Sequence, residues 1–298
     1  MPIGFSLPSF AKINWKLRVL GKRHDGFHEL FTVFQTVSLH DTISFVESDE
    51  LTLTCDDAAV PVDERNLIYK TAIALLDWYG TEKGAAIHLE KKIPSPGGLG
   101  GGSSNAAVAL IGLGRLWKIE MDMGALLQIA ASIGSDVPFF IHGGTAVGTG
   151  RGELIEQAPD ANEPFMLIVT PNAFVSTRDA FAAMNAATLT NGALNRILPV
   201  CRSEAESCDL HHSVLKNDFE VSVFDAYPEI KRVKETLLEL GAVNAAMSGS
   251  GASVFAIFDK QETRQTAIKA LDHESTWRKF AVATISRDQY REALSIKA

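Results

Sequence analysis

Cysteine is scarce in this sequence: Cys55, Cys201 and Cys208 are the 3 in 298 residues. They form no C-x-x-C pair, and an odd number excludes a disulfide framework in favour of free thiols. Cys208 lies near His211 and His212, but no second ligand pair stands at zinc-site spacing, so no metal centre is expected there. Long apolar runs are missing too. No stretch approaches the ~18 residues that cross a bilayer, and the opening residues carry no basic region followed by an apolar block and a cleavage site. A cytoplasmic protein without a membrane anchor is expected. Blocks of Lys or Arg are also absent and the formal net charge is −8, which argues against a nucleic-acid partner, because a phosphate backbone calls for a basic face. An anionic small ligand remains compatible wherever positive charge is concentrated locally. There is no internal repeat or low-complexity tract.

What is present is an ordinary globular balance, 46% hydrophobic and 21% charged, long enough for two modest lobes. The first half predicts an α+β pattern: strands at 42–46, 51–54 and 85–89, and a helix over 67–79. Ala106, Leu110, Leu113 and Trp117 recur on one helical face, which predicts a helix over 104–117. A second runs from Asp122, a good N-cap, to Ile133, with Gly134 as its stop. Glycines at 143–144 and 148–152 precede a strand at 165–169, placing a domain boundary near residue 158. Residues 188–209 lack periodicity and predict surface loops or short helices, and 259–298 reads as mixed helix and strand.

The most informative stretch is Pro94-Ser95-Pro96-Gly97-Gly98-Leu99-Gly100-Gly101-Gly102-Ser103-Ser104-Asn105, with 5 glycines in the six positions 97–102, opening directly into a helix. Without Cβ atoms the backbone comes close to a ligand, its N–H groups converge, and the helix N-terminus adds partial positive charge. Such a loop holds a polyphosphate, with the serines adding hydroxyl donors or a magnesium ligand. A flexible linker is the bland alternative, but linkers do not lead unbroken into an amphipathic helix. The loop is not G-x-x-x-x-G-K-[ST], since no lysine follows, and no strand-plus-acid context makes it a dinucleotide fingerprint.

This loop resembles the ATP loop of the galactokinase, homoserine kinase, mevalonate kinase and phosphomevalonate kinase (GHMP) superfamily. Ala11-Lys12-Ile13-Asn14 and Ser248-Gly249-Ser250-Gly251-Ala252-Ser253 are similar to its two other motifs, in the same order. Within the superfamily, four passages resemble the kinases of 4-diphosphocytidyl-2-C-methyl-D-erythritol: 11–14 with Gly21-Lys22-Arg23-His24-Asp25-Gly26-Phe27-His28, the glycine loop, Gly134-Ser135-Asp136-Val137-Pro138, and Val175-Ser176-Thr177 with Phe181. The resemblance implies a two-lobed GHMP-kinase-like fold, an ATP-binding domain over 1–158 and a substrate-binding domain over 159–298 around a central cleft, ATP and Mg2+ as cofactors, and phosphorylation of the 2-hydroxyl of the cytidylyl compound. It leaves the oligomeric state open.

Residue by residue, the resemblance implies that Asp136 is the catalytic carboxylate and Lys12 the lysine that keeps it ionised and stabilises the developing alkoxide. Read alone, Asp136 is as well a cap or salt-bridge residue. His28 would read the cytosine edge while Phe27 and Phe181 sandwich the ring; Phe27 stands where the family usually has tyrosine, keeping the face and losing the hydroxyl. Asn14 and Thr177 would bind the substrate's hydroxyl side, or else serve as local backbone binders. Gly249 and Gly251 would pack on the phosphate loop and meet the transferring end; their bland reading is a tight turn between a helix and a strand. Asn66 would begin a helix beside the adenine pocket, or be a plain N-cap. Besides Asp136 no acidic residue announces a magnesium site. Two other functions remain: a homoserine- or mevalonate-type kinase, which would lack the Gly-Phe-His and Ser-Asp-Val-Pro passages, and an inactive nucleotide-binding sensor, which would be expected to lose Lys12 or Asp136.

Overall fold

In a computed structural model, residues 4–184, 190–206 and 211–296 are described. Two long strands, β1 (Gly4–Lys22) and β2 (His28–Ser48), pair antiparallel along their length. Register shifts at Phe10/Ala11, Asn14/Lys16 and Val19/Gly21 interrupt that ladder. Each shift bends the pair and raises its twist, so β2 takes different partners at its two ends. Its far end pairs with β4 (Gly84–Glu90), which carries β3 (Leu51–Cys55). Its near end pairs with β5 (Thr145–Gly150), which carries β6 (Leu154–Gln157). The strand expected over 42–46 is therefore the far part of β2. Gln35 and Asp41 fall among Val33, Val37, Leu39, Ile43 and Phe45 and break the apolar alternation that would have shown its length.

Four helices cover one face of this sheet: α1 (Leu67–Tyr79), α2 (Gly101–Trp117), α3 (Met123–Ile133) and α4 (Val137–His142). Their apolar sides meet Phe45, Ile43 and Ile87 in the first core, where Leu110, Leu113, Ile129 and Phe139 are buried. Close approach is required at Gly112, where a Cβ would stand 2.4 Å from the Phe45 ring. A second sheet has the order β11-β7-β10-β9, built from β7 (Met166–Thr170), β9 (Asn244–Met247), β10 (Val254–Ile257) and β11 (Arg278–Val282). All five residues of β7 and all four of β10 are buried, the continuous apolar run of strands covered on both faces. Helix α8 (Pro228–Glu239) packs Ile230, Val233 and Leu237 into a core with Leu167, Val169, Val254 and Ala256. Ile13 and Trp15 of β1 join Ile168 and Phe255 in a third cluster that ties the sheets together, with the Trp15 and Phe255 rings edge to face at 5.4 Å.

The remaining elements are α5 (Thr177–Ala183), α6 (Asn191–Glu206), the short β8 (Lys216–Asn217) beside β1, α7 (Glu220–Ala226), α9 (Gln261–Ala270) and α10 (Arg287–Ala293). Of the loops or short helices expected over 188–209, residues 191–206 form one helix, α6, of 16 residues with Pro199 in its interior, and 188–189 and 207–209 lie outside the described residues. The 158 position lies in the connection between β6 and β7, while Tyr290 and Leu294 at the chain's far end are buried in the first core. Among the described residues no helix is long and apolar enough to cross a membrane.

Candidate active site

Between the sheets opens a cleft of about 390 Å³, lined by residues from Pro94 to Ser103 and by Lys12, Asn14, Asp136, Thr177, Phe181, Gly249 and Gly251. Helix α2 begins at Gly101, earlier than its apolar face predicts, because the glycines themselves form its first turn. Its N-cap is Gly100 at φ 68°, with no side chain capping the turn. The first N–H groups of a helix have no intrahelical partner, so here they and the dipole's positive end face the cleft. Two glycines in the loop are demanded by space. Gly98 has φ 70° and a Cβ there would stand 2.0 Å from the Ser248 carbonyl oxygen; at Gly100 a Cβ would meet Lys12 Cγ at 2.9 Å.

The helix geometry corrects one loop expectation, for Ser104, and gives Asn66 its plain N-cap reading. Ser104 is fully buried and turned from the cleft: its Oγ accepts from Ser9 Oγ at 2.8 Å and its backbone N–H donates to Gly100 O. One helical step, ~100°, separates it from Ser103, which does line the cleft. Asn66 is the N-cap of α1: its Oδ1 accepts from Ile68 N at 2.9 Å and its Nδ2 donates to Pro61 O at 2.7 Å. Leu67, not Asn66, reaches the cleft wall.

At the floor, Lys12 is held by backbone and side chain alike. Its N–H donates to Leu99 O at 2.9 Å, which staples β1 to the phosphate loop. Its Nζ donates to Asn14 Oδ1 at 2.7 Å and stands 3.7 Å from Asp136 Oδ2. Burial pulls the Lys12 ammonium below its ordinary pKa, and the charge of Asp136 opposes that shift. Asp136 precedes α4 without capping it and is one-third exposed at the side chain, open to the cleft. Asn14 Nδ2 donates to Thr32 Oγ1 at 2.7 Å, whose hydroxyl donates on to Lys16 O. The lysine's partners are thus oriented by a chain of buried hydrogen bonds.

The second glycine loop lies against the first. Ser248 Oγ donates to Gly98 O at 2.9 Å, Ser253 N donates to Gly97 O at 3.1 Å, and Gly249 at φ 56° places a would-be Cβ 3.2 Å from Lys12 Nζ. This loop turns between two strands, β9 and β10, rather than between a helix and a strand as the sequence predicts. Thr177, at the start of α5, shares a hydrogen bond with Ser250 at 2.9 Å.

The aromatic side differs from expectation. Phe27 and Phe181 do not sandwich a gap: the His28 ring stacks on Phe181, centroids 4.8 Å apart and 18° from parallel. Phe27 sits in the Asp25–Phe27 turn, 53% exposed, beneath the Arg151 guanidinium at 5.0 Å. Strand β2 begins at His28, so that residue and not its neighbour points toward α5. Phe219 meets Phe181 in an edge-to-face pair, centroids 4.8 Å apart. Arg151 and Phe219 both line the cleft and neither carries a sequence signal; the Gly-Arg-Gly context of Arg151 reads only as a turn. Of the metal cluster weighed in the sequence, Cys208 lies outside the described residues, and His211 is held between Glu163 Oε2 and Asp259 Oδ1, each at 3.0 Å.

The GHMP kinases N terminal domain family matches residues 66–144 and the GHMP kinases C terminal family residues 200–275. Proteins named 4-diphosphocytidyl-2-C-methyl-D-erythritol kinase are similar along nearly their whole length. That of Thermodesulfovibrio yellowstonii is 38% identical over 264 residues, 88% of this chain and 92% of the relative. That of Syntrophus aciditrophicus is 36% identical over 92% of this chain and 97% of the relative. A crystal structure of 4-(cytidine 5'-diphospho)-2C-methyl-D-erythritol kinase superposes with TM-score 0.75 at 30% identity, covering 94% of this chain and 99% of that one. A homoserine kinase from Cytophaga hutchinsonii, at TM-score 0.71 and 21% identity over 96% of both chains, shares the fold. With the phosphate loop, the lysine–aspartate pair and these likenesses together, the chain is a small-molecule kinase and belongs to the 4-diphosphocytidyl-2-C-methyl-D-erythritol kinase family of the GHMP kinases.

Proposed function

We propose that this chain transfers the terminal phosphoryl group of ATP to the 2-hydroxyl of 4-diphosphocytidyl-2-C-methyl-D-erythritol, giving the 2-phosphate and ADP in non-mevalonate isoprenoid precursor biosynthesis. The observation that carries the reading is the placement of Lys12 Nζ 3.7 Å from Asp136 Oδ2, on the floor of a cleft with an open helix N-terminus in one wall and Phe181, backed by the His28 ring stacked on it, in the other. The open N–H groups of α2 bind the phosphates and fix the terminal phosphorus. Asn14 and Asp136 orient the acceptor hydroxyl. As its oxygen bonds to phosphorus and the bond to the ADP oxygen breaks, the hydroxyl proton passes to the Asp136 carboxylate. Lys12 keeps that carboxylate ionised and stabilises negative charge on the acceptor oxygen. Since such transition states are loose, fixed position and charge contribute more than early proton removal.

Ser103 and Asp136 present hard oxygen donors to the cleft, which fits magnesium held mainly by phosphate oxygens and water. When bound, magnesium supplies neutralisation of the phosphate charge. Cytosine is recognised along the Phe181 wall, with the ring nitrogens of His28 reading its edge. Residues 1–158 form the ATP side and 159–298 the substrate side of a cytoplasmic enzyme, with Asn14 and His28 reaching the acceptor from the first, and its partners are small molecules rather than nucleic acid or membrane.

The test is ADP release with magnesium-ATP and a panel of the cytidylyl compound, homoserine, mevalonate and galactose, with phosphorus NMR on the product. Turnover of the cytidylyl compound alone, with the new phosphate on the tertiary hydroxyl, is the expected result. Another acceptor winning would overturn the substrate assignment, and ATP binding with no acceptor turned over would favour a nucleotide sensor.

A further inference from the structure

The loop that closes over Lys12 is held from outside by a segment with no part in the chemistry above. Residues Asn217-Asp218-Phe219-Glu220 run on from the short strand β8, whose last residue is Asn217 and which lies parallel to β1 with Leu17 opposite Asn217. Asn217 is 5% exposed, and all of its amide is used. Its Nδ2 donates to Met247 O at 2.8 Å and to Gly249 O at 2.7 Å, and its Oδ1 accepts from Phe219 N at 3.0 Å. The next residues bind other parts of the same site. Asp218 Oδ2 accepts from Val19 N at 2.9 Å on β1, Phe219 packs on Phe181, and Glu220 Oε1 accepts from Met247 N at 2.8 Å.

The two Asn217 bonds bracket the start of the second glycine loop. A loop of Ser-Gly-Ser-Gly has no side chains large enough to fix itself by packing, and glycine is the residue with the most conformations to lose. Ser248 and Ser250 tie the loop to the phosphate loop and to Thr177. Asn217 ties the carbonyl of Gly249, a residue whose would-be Cβ stands 3.2 Å from Lys12 Nζ, to the strand beside β1. Lys12 and Gly249 therefore take their relative position from neighbouring strands.

We propose that Asn217 is a positioning residue for phosphoryl transfer, acting through the Gly249 carbonyl to hold the second glycine loop against Lys12 and the phosphate loop. This rests on the kinase reading above, and it assigns a role to a residue that touches neither nucleotide nor acceptor. Misplacing a reacting geometry by about 1 Å costs on the order of 10²-fold in rate, so the loss belongs in kcat rather than in KM.

Asn217→Asp keeps the shape and the acceptor for Phe219 N but removes both donors, and the ionised carboxylate faces two carbonyl oxygens. The expected result is a kcat reduced by about 10- to 100-fold, with KM for ATP and acceptor within about threefold of wild type. Hydrogen exchange of the peptide spanning 245–255 should be faster, with exchange in α2 unchanged. Lowering the pH protonates the new carboxylate and returns one donor, so the variant-to-wild-type ratio of kcat should rise on acidification, which a general loss of stability would not produce. Asn217→Gln, which keeps the donors on a longer arm, should recover part of the rate and of the exchange protection. Unchanged kcat in folded Asn217→Asp, or unchanged exchange at 245–255, would overturn the proposal. Wild-type enzyme inactive on the cytidylyl compound would instead overturn the functional reading, and the exchange comparison would still decide whether Asn217 holds the loop.

Discussion

The glycine-rich wall of the cleft, to which the proposed function assigns the phosphates, is mostly main chain: from Pro94 to Ser103 it carries five glycines and the first turn of α2, backed by the Lys12 N–H bond to Leu99 O. The aromatic wall is made of side chains from distant parts of the sequence, Phe181 on α5 and Phe219 before α7, with His28 of β2 stacked on Phe181. A main-chain wall tolerates any ligand with phosphate, since peptide dipoles carry no information beyond charge and spacing. A side-chain wall selects, because stacking and edge hydrogen bonds distinguish one ring from another. Three substitutions and one titration separate these contributions.

The largest effect belongs where the walls meet. Asp136→Asn removes the carboxylate to which the proposed mechanism passes the hydroxyl proton, and should lower turnover by on the order of 10²- to 10⁴-fold. Neither wall is altered, so equilibrium binding of ATP and of the acceptor should stay near wild type. Full turnover in that variant would show that positioning by the walls suffices. Next is the main-chain wall itself. Gly98→Ala asks for a Cβ 2.0 Å from Ser248 O at φ 70°, and the left-handed backbone alone costs about 1–2 kcal/mol. The two glycine loops must separate, so ATP affinity should fall by at least about tenfold, with a lower melting temperature that saturating ATP partly restores. Unchanged ATP binding by the Gly98→Ala variant would mean that the loop's close packing is not what forms the phosphate site.

The same contrast explains what could be read from the residues alone. Helix α1 is found where predicted, at Leu67–Tyr79, and Asp122 caps α3 by accepting from Ala125 N. The glycine loop and the helix it opens are equally legible, because glycine content, cap chemistry and period are local properties. Ser104 is easily misassigned because adjacent serines look alike in sequence and differ by a helical step in space. Phe219 and Asn217 carry no signal, since their roles depend on contacts with Phe181 and Gly249, 38 and 32 residues away in numbering. The full lengths of β1 and β2 are hidden by bulges and mid-strand polar residues, and α6 by its proline.

On the selective wall, Phe181→Ala should raise KM for the cytidylyl acceptor by about 5- to 100-fold, the range expected for one base–aromatic contact. KM for ATP should move far less, because the ring contacts of Phe181 are with His28 and Phe219. The partly exposed site adjusts more easily than a core, so the loss in melting temperature should be small beside that of Gly98→Ala. Equal effects on both substrates would show that the walls are coupled and that the division between them fails.

The smallest effect tests whether the aromatic wall also carries the cleft's response to mild acid. Burial, with a smaller contribution from the Lys22 charge, holds the His28 imidazole below its ordinary pKa. The unfolded chain therefore binds a proton at His28 more readily than the folded one. By linkage, the stability tied to this residue is complete above the ordinary imidazole value of about 6.5 and is lost as pH falls through it toward the depressed folded pKa. His211 shifts the other way: burial opposes its charging, but hydrogen bonds and charge from Glu163 and Asp259 outweigh that and raise its pKa. Wild-type melting alone mixes such opposed contributions. His28→Phe keeps a ring against Phe181 and removes the titrating group, so the difference between variant and wild type isolates His28. That difference should be flat above about pH 7 and should shift in favour of the variant as pH falls below about 6.5. A difference that does not depend on pH would place His28 in an environment as solvated as the unfolded chain, and the aromatic wall would then select by shape without a protonation-sensitive edge.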